Sequence, residues 1–146
     1  MKKYWWVLII VLLAVVIGLG VFFFVKNRKP QVTINNKTFN VEVALTDSQR
    51  EKGLAGRTQL DANSGMLFVF PKSDIYTFWM KETKIPLDII WIDEGKVVEI
   101  TTLDPQVGTD IPSYTPKNKA NYVLEVNAGM SSENNIKVGD GVKIKY

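Results

Sequence analysis

The chain of 146 residues contains neither cysteine nor histidine. The first absence removes disulfides and thiolate nucleophiles. The second removes every dyad or triad that uses imidazole as its base. Structural zinc sites draw on the same two side chains and go with them. What remains for chemistry is carboxylate, lysine, arginine, hydroxyl and phenol. No internal repeat and no low-complexity tract is present. The formal net charge is +3, but Lys2, Lys3, Lys26, Arg28 and Lys29 all flank one apolar run. From Pro30 to Tyr146 the other 13 basic residues face all 15 acidic ones, a net of −2. There is no basic stripe of the kind nucleic acid requires, and no nucleic-acid partner is expected.

Tyr4 to Val25 is a run of 22 residues without a charge. As a helix it would measure about 33 Å, enough for the ~30 Å hydrocarbon core of a bilayer. Tyr4, Trp5 and Trp6 stand at one end, where aromatic side chains prefer the headgroup level. The remainder of the chain is too small to surround a helix that is apolar on every face. The pattern therefore predicts a membrane anchor over residues 1–25, with its short basic start, a linker over 26–31, and a lipid bilayer as partner of residues 4–25. A cleaved signal peptide is the rival reading. Its apolar region would be ~7–15 residues long and end in small residues. Gly18-Leu19-Gly20 is a poor version of that end, and the apolar run continues through Val21–Val25. The basic count, two before and three after, does not fix the orientation. A short basic start followed at once by an apolar run reads as an export signal, so a single-pass protein of the cell membrane with its domain on the extracytoplasmic side is expected.

Residues 32–146 read as one β-rich domain. Val32–Ile34, Asn35-Asn36 and Lys37–Phe39 form a hairpin pattern, because Asn tolerates the positive φ of a tight turn. Phe39, Val41, Val43 and Leu45 then alternate with polar or small residues, a half-buried strand. Thr46 and Gln49 have capping-box spacing and predict a short helix from Asp47 to about Leu54. Further strands are predicted over Met66–Phe70, stopped by Pro71, and over Ile75–Met80. Leu87–Ile92 is nearly continuous in apolar residues, as in a central strand. Asp93-Glu94-Gly95 turns the chain into Lys96–Leu103. Asp104–Lys119, with three prolines, is a long loop. Tyr122, Leu124 and Val126 alternate again, Ser131–Glu133 starts a helical turn, and Val142–Tyr146 is the last strand. The fold class expected is mainly β: a sandwich or partly closed barrel of about seven strands with one or two short helices, preceded by the transmembrane helix.

Several blocks resemble the DUF192 family: Gly53-Leu54 with Arg57, Gly65–Phe70, and Phe78-Trp79-Met80-Lys81. Thr83, Ile85–Trp91, Tyr122–Glu125, Ala128-Gly129 and Gly139-Asp140 with Val142 extend the resemblance over nearly all of Phe39 to Ile144. It implies a mainly β domain, often exported or membrane-anchored, with no established activity. Many relatives read Trp-Met-Lys-Asn-Thr where this chain has Glu82. Many also carry two cysteines in the proline-rich loop, about where Gln106 and Ile111 stand. If those cysteines form a disulfide in relatives, this loop must be held in another way.

The densest group of polar and aromatic residues is Trp79 to Asp88. A plain connection needs only turn formers, yet this one supplies an indole, an ammonium, two carboxylates and a hydroxyl. As a binding rim it would use Trp79 as a stacking face, with Lys81, Thr83 and Asp88 as polar partners. The plainer reading is a solvated loop beside a core tryptophan. Asp88 abuts the apolar run Ile89–Ile92, and a buried carboxylate needs a partner. Arg57 fits, since a guanidinium matches a carboxylate with two hydrogen bonds; such a pair would equally be structural. Glu125 alternates out of step with its apolar neighbours, so exposure to solvent is its default, though it shares the candidate ligand-binding set with Arg57, Trp79, Lys81, Thr83 and Asp88. No catalytic residue, metal ligand or cofactor is assigned. Met66, Met80, Trp79 and Trp91 lack the His or Cys that a soft-metal site would need. Three functions compete. The first is a binding module for a cell-envelope glycan or protein. The second is a structural or accessory domain of an envelope assembly. The third is a carboxylate hydrolase using Glu82 and Asp88. The balance leans away from an enzyme.

Overall fold

The computed structural model describes residues 4–26 and 29–146, and from Gly20 to Lys26 the backbone alone. The first element is α1 (Trp5–Lys26). Leu8, Leu12, Leu13 and Ile17 on it are each more than half exposed. Among the described residues no helix is long and apolar enough to cross a membrane. The expected span over residues 4–25 is thus not shown by the fold: the side chains of its last six residues, and the flanking Lys2, Lys3 and Arg28, lie outside the described residues.

Local sequence then sets the elements. β1 (Gln31–Ile34) and β2 (Lys37–Ala44) form the expected hairpin. Asn35 at its turn has φ 53°, the left-handed region an Asn enters at little cost. Thr46 caps α2 (Asp47–Lys52): its hydroxyl accepts from Gln49 N–H, while the Gln49 side chain accepts from Thr46 N–H. β3 (Ser64–Asp74) runs through Pro71 instead of stopping there. Its pairing slips between Val69 and Asp74, and an irregular stretch tolerates a residue with no N–H to donate. The expected strand over Ile75–Met80 shrinks to β4 (Phe78–Trp79), which pairs with β7 (Ser113–Tyr114), a short strand inside the proline-rich loop. β5 (Leu87–Asp93) and β6 (Lys96–Leu103) join through Glu94-Gly95, both at positive φ. β8 (Ala120–Asn127), α3 (Met130–Glu133) and β9 (Val142–Lys145) complete the chain.

Seven strands make one sheet in the order β6-β5-β8-β3-β2-β1-β9. All neighbours are antiparallel except β2 and β3, which α2 connects in parallel. The sheet curls until its edges touch at one end, where Lys96 bridges Gly141 and Val97 N–H donates to Asp140 O at 2.9 Å. Of the two expected architectures, the partly closed barrel is the one formed.

Each face of the sheet carries a core. The inner core gathers Val32, Ile34, Phe39, Val41, Leu67, Ile90, Ile92, Val97, Leu124 and Val126, from both edges of the curl. The outer core lies on the central strands: Met66, Phe68, Leu87, Ile89, Trp91 and Val123. Leu54, Phe78, Met80 and Ile85 cover it from the connections. β3, β5 and β8 are therefore buried on both faces, which explains why β5 reads as unbroken apolar sequence.

Candidate binding cleft

β8 carries one acidic residue, Glu125, between Leu124 and Val126. Leu124 and Val126 point to the inner core, so Glu125 points the other way. There it sits in a cross-strand row with Met66 on β3 and Ile89 on β5. It is 4% exposed, which overturns the exposure expected of it. The alternation that suggested a wet face fails because the outer face of β8 is a core as well. Its Oε2 is buried and has no hydrogen-bond partner among the described residues. Burial pushes its carboxyl up to about 8, so near neutral pH it holds its proton.

A second buried glutamate on the same face shows what a structural role looks like. Glu99, in the row of Trp91, takes four hydrogen bonds: from Tyr114 Oη, Lys117 N, Asn118 N and Asn118 Nδ2. Burial alone would raise it, yet these donors hold it below the usual carboxylate range. Glu99 thereby ties down the end of the proline-rich loop. Glu125 has no such set of donors.

Glu125 instead lines a cleft of about 330 Å³. α2 and the turn after it supply Asp47, Arg50, Glu51, Lys52 and Leu54. β3 supplies Phe68 and Phe70, and the connection over β4 supplies Tyr76, Phe78, Trp79, Lys81 and Thr83. The aromatic walls are tightly arranged. Phe70 and Tyr76 stack with centroids 3.6 Å apart, and Phe78 meets Phe68 edge-on at 4.9 Å. Phe78 also meets Trp91 edge-on at 5.8 Å, and the Trp91 indole N–H donates to Tyr76 O. Arg50 is committed elsewhere. It pairs with Asp47, donates to the carbonyls of Leu45 and Val69 at 2.7 Å each, and lies over the Phe70 ring. Trp79 is half exposed at 49% and forms an open wall. Thr83 is buried; its hydroxyl reaches only Lys81 O, at 3.4 Å.

Trp79, Lys81, Thr83 and Glu125 thus come together on one cleft, and Arg57 and Asp88 do not join them. Arg57 pairs with Glu42, its Nη2 within 2.6 Å of both carboxylate oxygens. Asp88 faces the inner core with Ile90 and Ile92, on the opposite side of the sheet from Glu125. It accepts from Thr102 Oγ1 at 2.7 Å and from Ser131 N–H at 2.8 Å. The expected Arg57–Asp88 pair is therefore absent, because a strand alternates its side chains and Asp88 lies on the inner face. Glu82 is exposed on the turn before β5, while Asp88 is buried. Sequence reasoning missed Phe70, Tyr76 and the α2 residues as cleft lining.

The proline-rich loop is held without cysteine. Gln106 N–H donates to Thr83 O, its side-chain oxygen accepts from Glu82 N–H at 2.7 Å, and its amide donates to Gly108 O. Glu82 sits at φ 56°, where an Asn would be less strained.

The profile of DUF192, a family described as "Uncharacterized ACR", matches residues 30–144. The chain belongs to the DUF192 family. A curated relative, UPF0127 protein PH1112 of Pyrococcus horikoshii, is 28% identical over 114 residues, covering 74% of this chain and 91% of the relative. A crystal structure of a protein of unknown function from Novosphingobium aromaticivorans DSM 12444 is 35% identical with a TM-score of 0.70. It covers 77% of this chain and 83% of its own. Another, of a candidate transcription regulator from Sinorhizobium meliloti 1021, is 31% identical with a TM-score of 0.73. It covers 80% of this chain and 94% of its own. The DUF192 match takes in the curled sheet as far as Ile144 and every residue of the cleft.

Proposed function

We propose that this DUF192 protein is a membrane-anchored binding module whose domain sits on the extracytoplasmic side and takes a cell-envelope ligand in the Glu125 cleft. The observation that carries the reading is Glu125 itself. A buried carboxyl with an unpartnered oxygen lies on an aromatic cleft whose volume falls within the ~300–1,000 Å³ of small-molecule sites. A perturbed titratable group in such a place marks a site better than it marks a core. A purely structural accessory domain gives no reason for the cleft. The hydrolase alternative is disfavoured by its two named carboxylates: Asp88 is buried and engaged by Thr102 and Ser131, whereas Glu82 stands exposed on the turn before β5. What speaks for the anchor is the sequence, 22 uncharged residues from Tyr4 to Val25, together with the exposed aliphatic side chains of α1 between Val7 and Leu19.

Two measurements test the reading. A thermal-shift screen of envelope compounds should find a ligand that raises the melting temperature of the wild type, since ligands bind the folded state. The same ligand should leave Trp79→Ala unmoved; equal shifts in both proteins would place binding elsewhere. For the anchor, the protein should stay in the membrane fraction after an alkaline wash. A mature N-terminus near Val21 would refute retention.

A further inference from the structure

We propose that the Glu125 cleft takes an uncharged, hydroxyl-bearing ring, a saccharide unit, with its apolar face on Trp79 and a hydroxyl on the Glu125 carboxyl. The inference rests on the reading of this cleft as a ligand site and adds the ligand's class.

The buried end of the cleft carries no charge to hold an ion. The groups facing it that carry or can take charge are Asp47, Arg50, Glu51, Lys52, Tyr76, Lys81 and Glu125. Three cations stand against two exposed carboxylates, and Arg50 already gives three of its five N–H groups to Asp47 and two carbonyls. A cationic ligand would meet Lys52 and Lys81 at the rim. It would also have to draw the proton from a carboxyl that burial keeps neutral. An anionic ligand is drawn to Lys52 and Lys81 at the rim, away from the buried end, where the neutral Glu125 carboxyl supplies no positive charge. A neutral ligand needs no charge at that end. A protonated carboxyl offers one donor and further acceptor positions, which suits a hydroxyl able to do both. The half-exposed Trp79 gives the flat apolar surface on which the C–H face of a sugar ring rests. Thr83 adds a hydroxyl that makes a single long bond in the chain.

The test uses the full chain in lipid nanodiscs with three probes: chitotriose, benzylamine and benzoate. Chitotriose should bind at pH 6. It should weaken about thirtyfold by pH 9.5, as a group titrating near 8 loses its proton. Trp79→Ala should lower its affinity at least tenfold, and Glu125→Leu should abolish binding. Glu125→Gln, neutral at all pH, should remove the pH dependence. Benzylamine binding that strengthens from pH 6 to pH 9.5 would overturn the ligand class and leave the cleft reading in place. Benzoate binding would do the same. Chitotriose binding indifferent to Trp79→Ala and Glu125→Leu would overturn the site. Binding of none of the three would overturn the saccharide assignment, while the thermal-shift screen would still decide separately whether the cleft takes any ligand.

Discussion

Replacing Glu125 by Gln should make the domain more stable at alkaline pH, by an amount the burial of the carboxyl predicts. The native carboxyl titrates at about 8 against 4.5 for an ordinary glutamate, with burial as the cause. Between those values the folded chain holds a proton that the unfolded chain has released. For a group whose pKa is raised on folding, the stabilising contribution is complete below the unfolded value and is lost as pH rises through the folded value. At ~1.36 kcal/mol per pH unit, wild type should lose about 4 kcal/mol relative to the variant between pH 5 and pH 9. That is a large share of the ~5–15 kcal/mol that a domain possesses. The assay is urea denaturation of residues 30–146, which contain every residue of both cores, at pH 5, 6, 7, 8 and 9. The readout is the difference between the two proteins, so that titrations they share cancel. Its slope carries the argument, because the additional amide hydrogens of Gln shift the whole curve by a constant. A difference unchanged within about 1 kcal/mol from pH 5 to pH 9 would show that Glu125 is not the buried neutral acid described here.

The corrected pairing of Arg57 and Asp88 gives a second test. Asp88→Ala removes the acceptor of the buried Ser131 N–H and should cost about 1–3 kcal/mol. Arg57→Ala breaks a largely exposed pair with Glu42 and should cost no more than about 1 kcal/mol. The double variant should be additive within ~0.5 kcal/mol in denaturation midpoints, and a larger coupling would restore the pair. Gly65→Ala should destabilise by about 1–3 kcal/mol, because a Cβ there would stand 2.5 Å from the backbone oxygen of Glu125, which cannot swing aside. A neutral result would mean that β3 and β8 part easily. Glu82→Asn, placing a residue tolerant of positive φ at 56°, should raise stability by roughly 0.5–1 kcal/mol, read as a higher melting temperature.

What was legible in the sequence was whatever is decided within a few residues. The Asn35-Asn36 turn, the Thr46–Gln49 capping box and the two-residue loop after Asp93 are local, and each predicted its element closely. Ile75–Met80 misled because its apolar residues serve a different purpose. Tyr76 stacks on Phe70, and Phe78 packs on Phe68 and Trp91, so the segment is a lid over the sheet. Burial demands apolar side chains of a lid and of a strand alike. Arg57 and Asp88 were paired on chemistry alone; which face of β5 carries Asp88 depends on register with β6 and β8, which no local signal contains. The burial of Glu125 was missed for a reason that could have been seen. Tyr122-Val123-Leu124-Glu125-Val126 is apolar at both parities, the pattern of a strand covered on both faces. A charge inside such a strand is a buried charge, and alternation with its neighbours says only which core it enters.

The contrast between the two buried glutamates bears on why the carboxyl at position 125 is there at all. Glu99 receives four donors and fastens a loop that carries no cysteine, so folding accounts for it. Glu125 leaves Oε2 without a donor, depresses stability as pH rises, and sits in a row with Met66 and Ile89 that an apolar side chain would continue. On packing grounds Met or Leu would serve better at this position, since an unpartnered buried acceptor costs about 1–3 kcal/mol. A residue that breaks the local rule without a compensating contact inside the fold has its compensation outside it. Glu125 lines the aromatic cleft, where Trp79 stands half exposed and Thr83 makes one long hydrogen bond. The partner that Glu125 lacks among the described residues is thus to be sought in whatever fills that cleft.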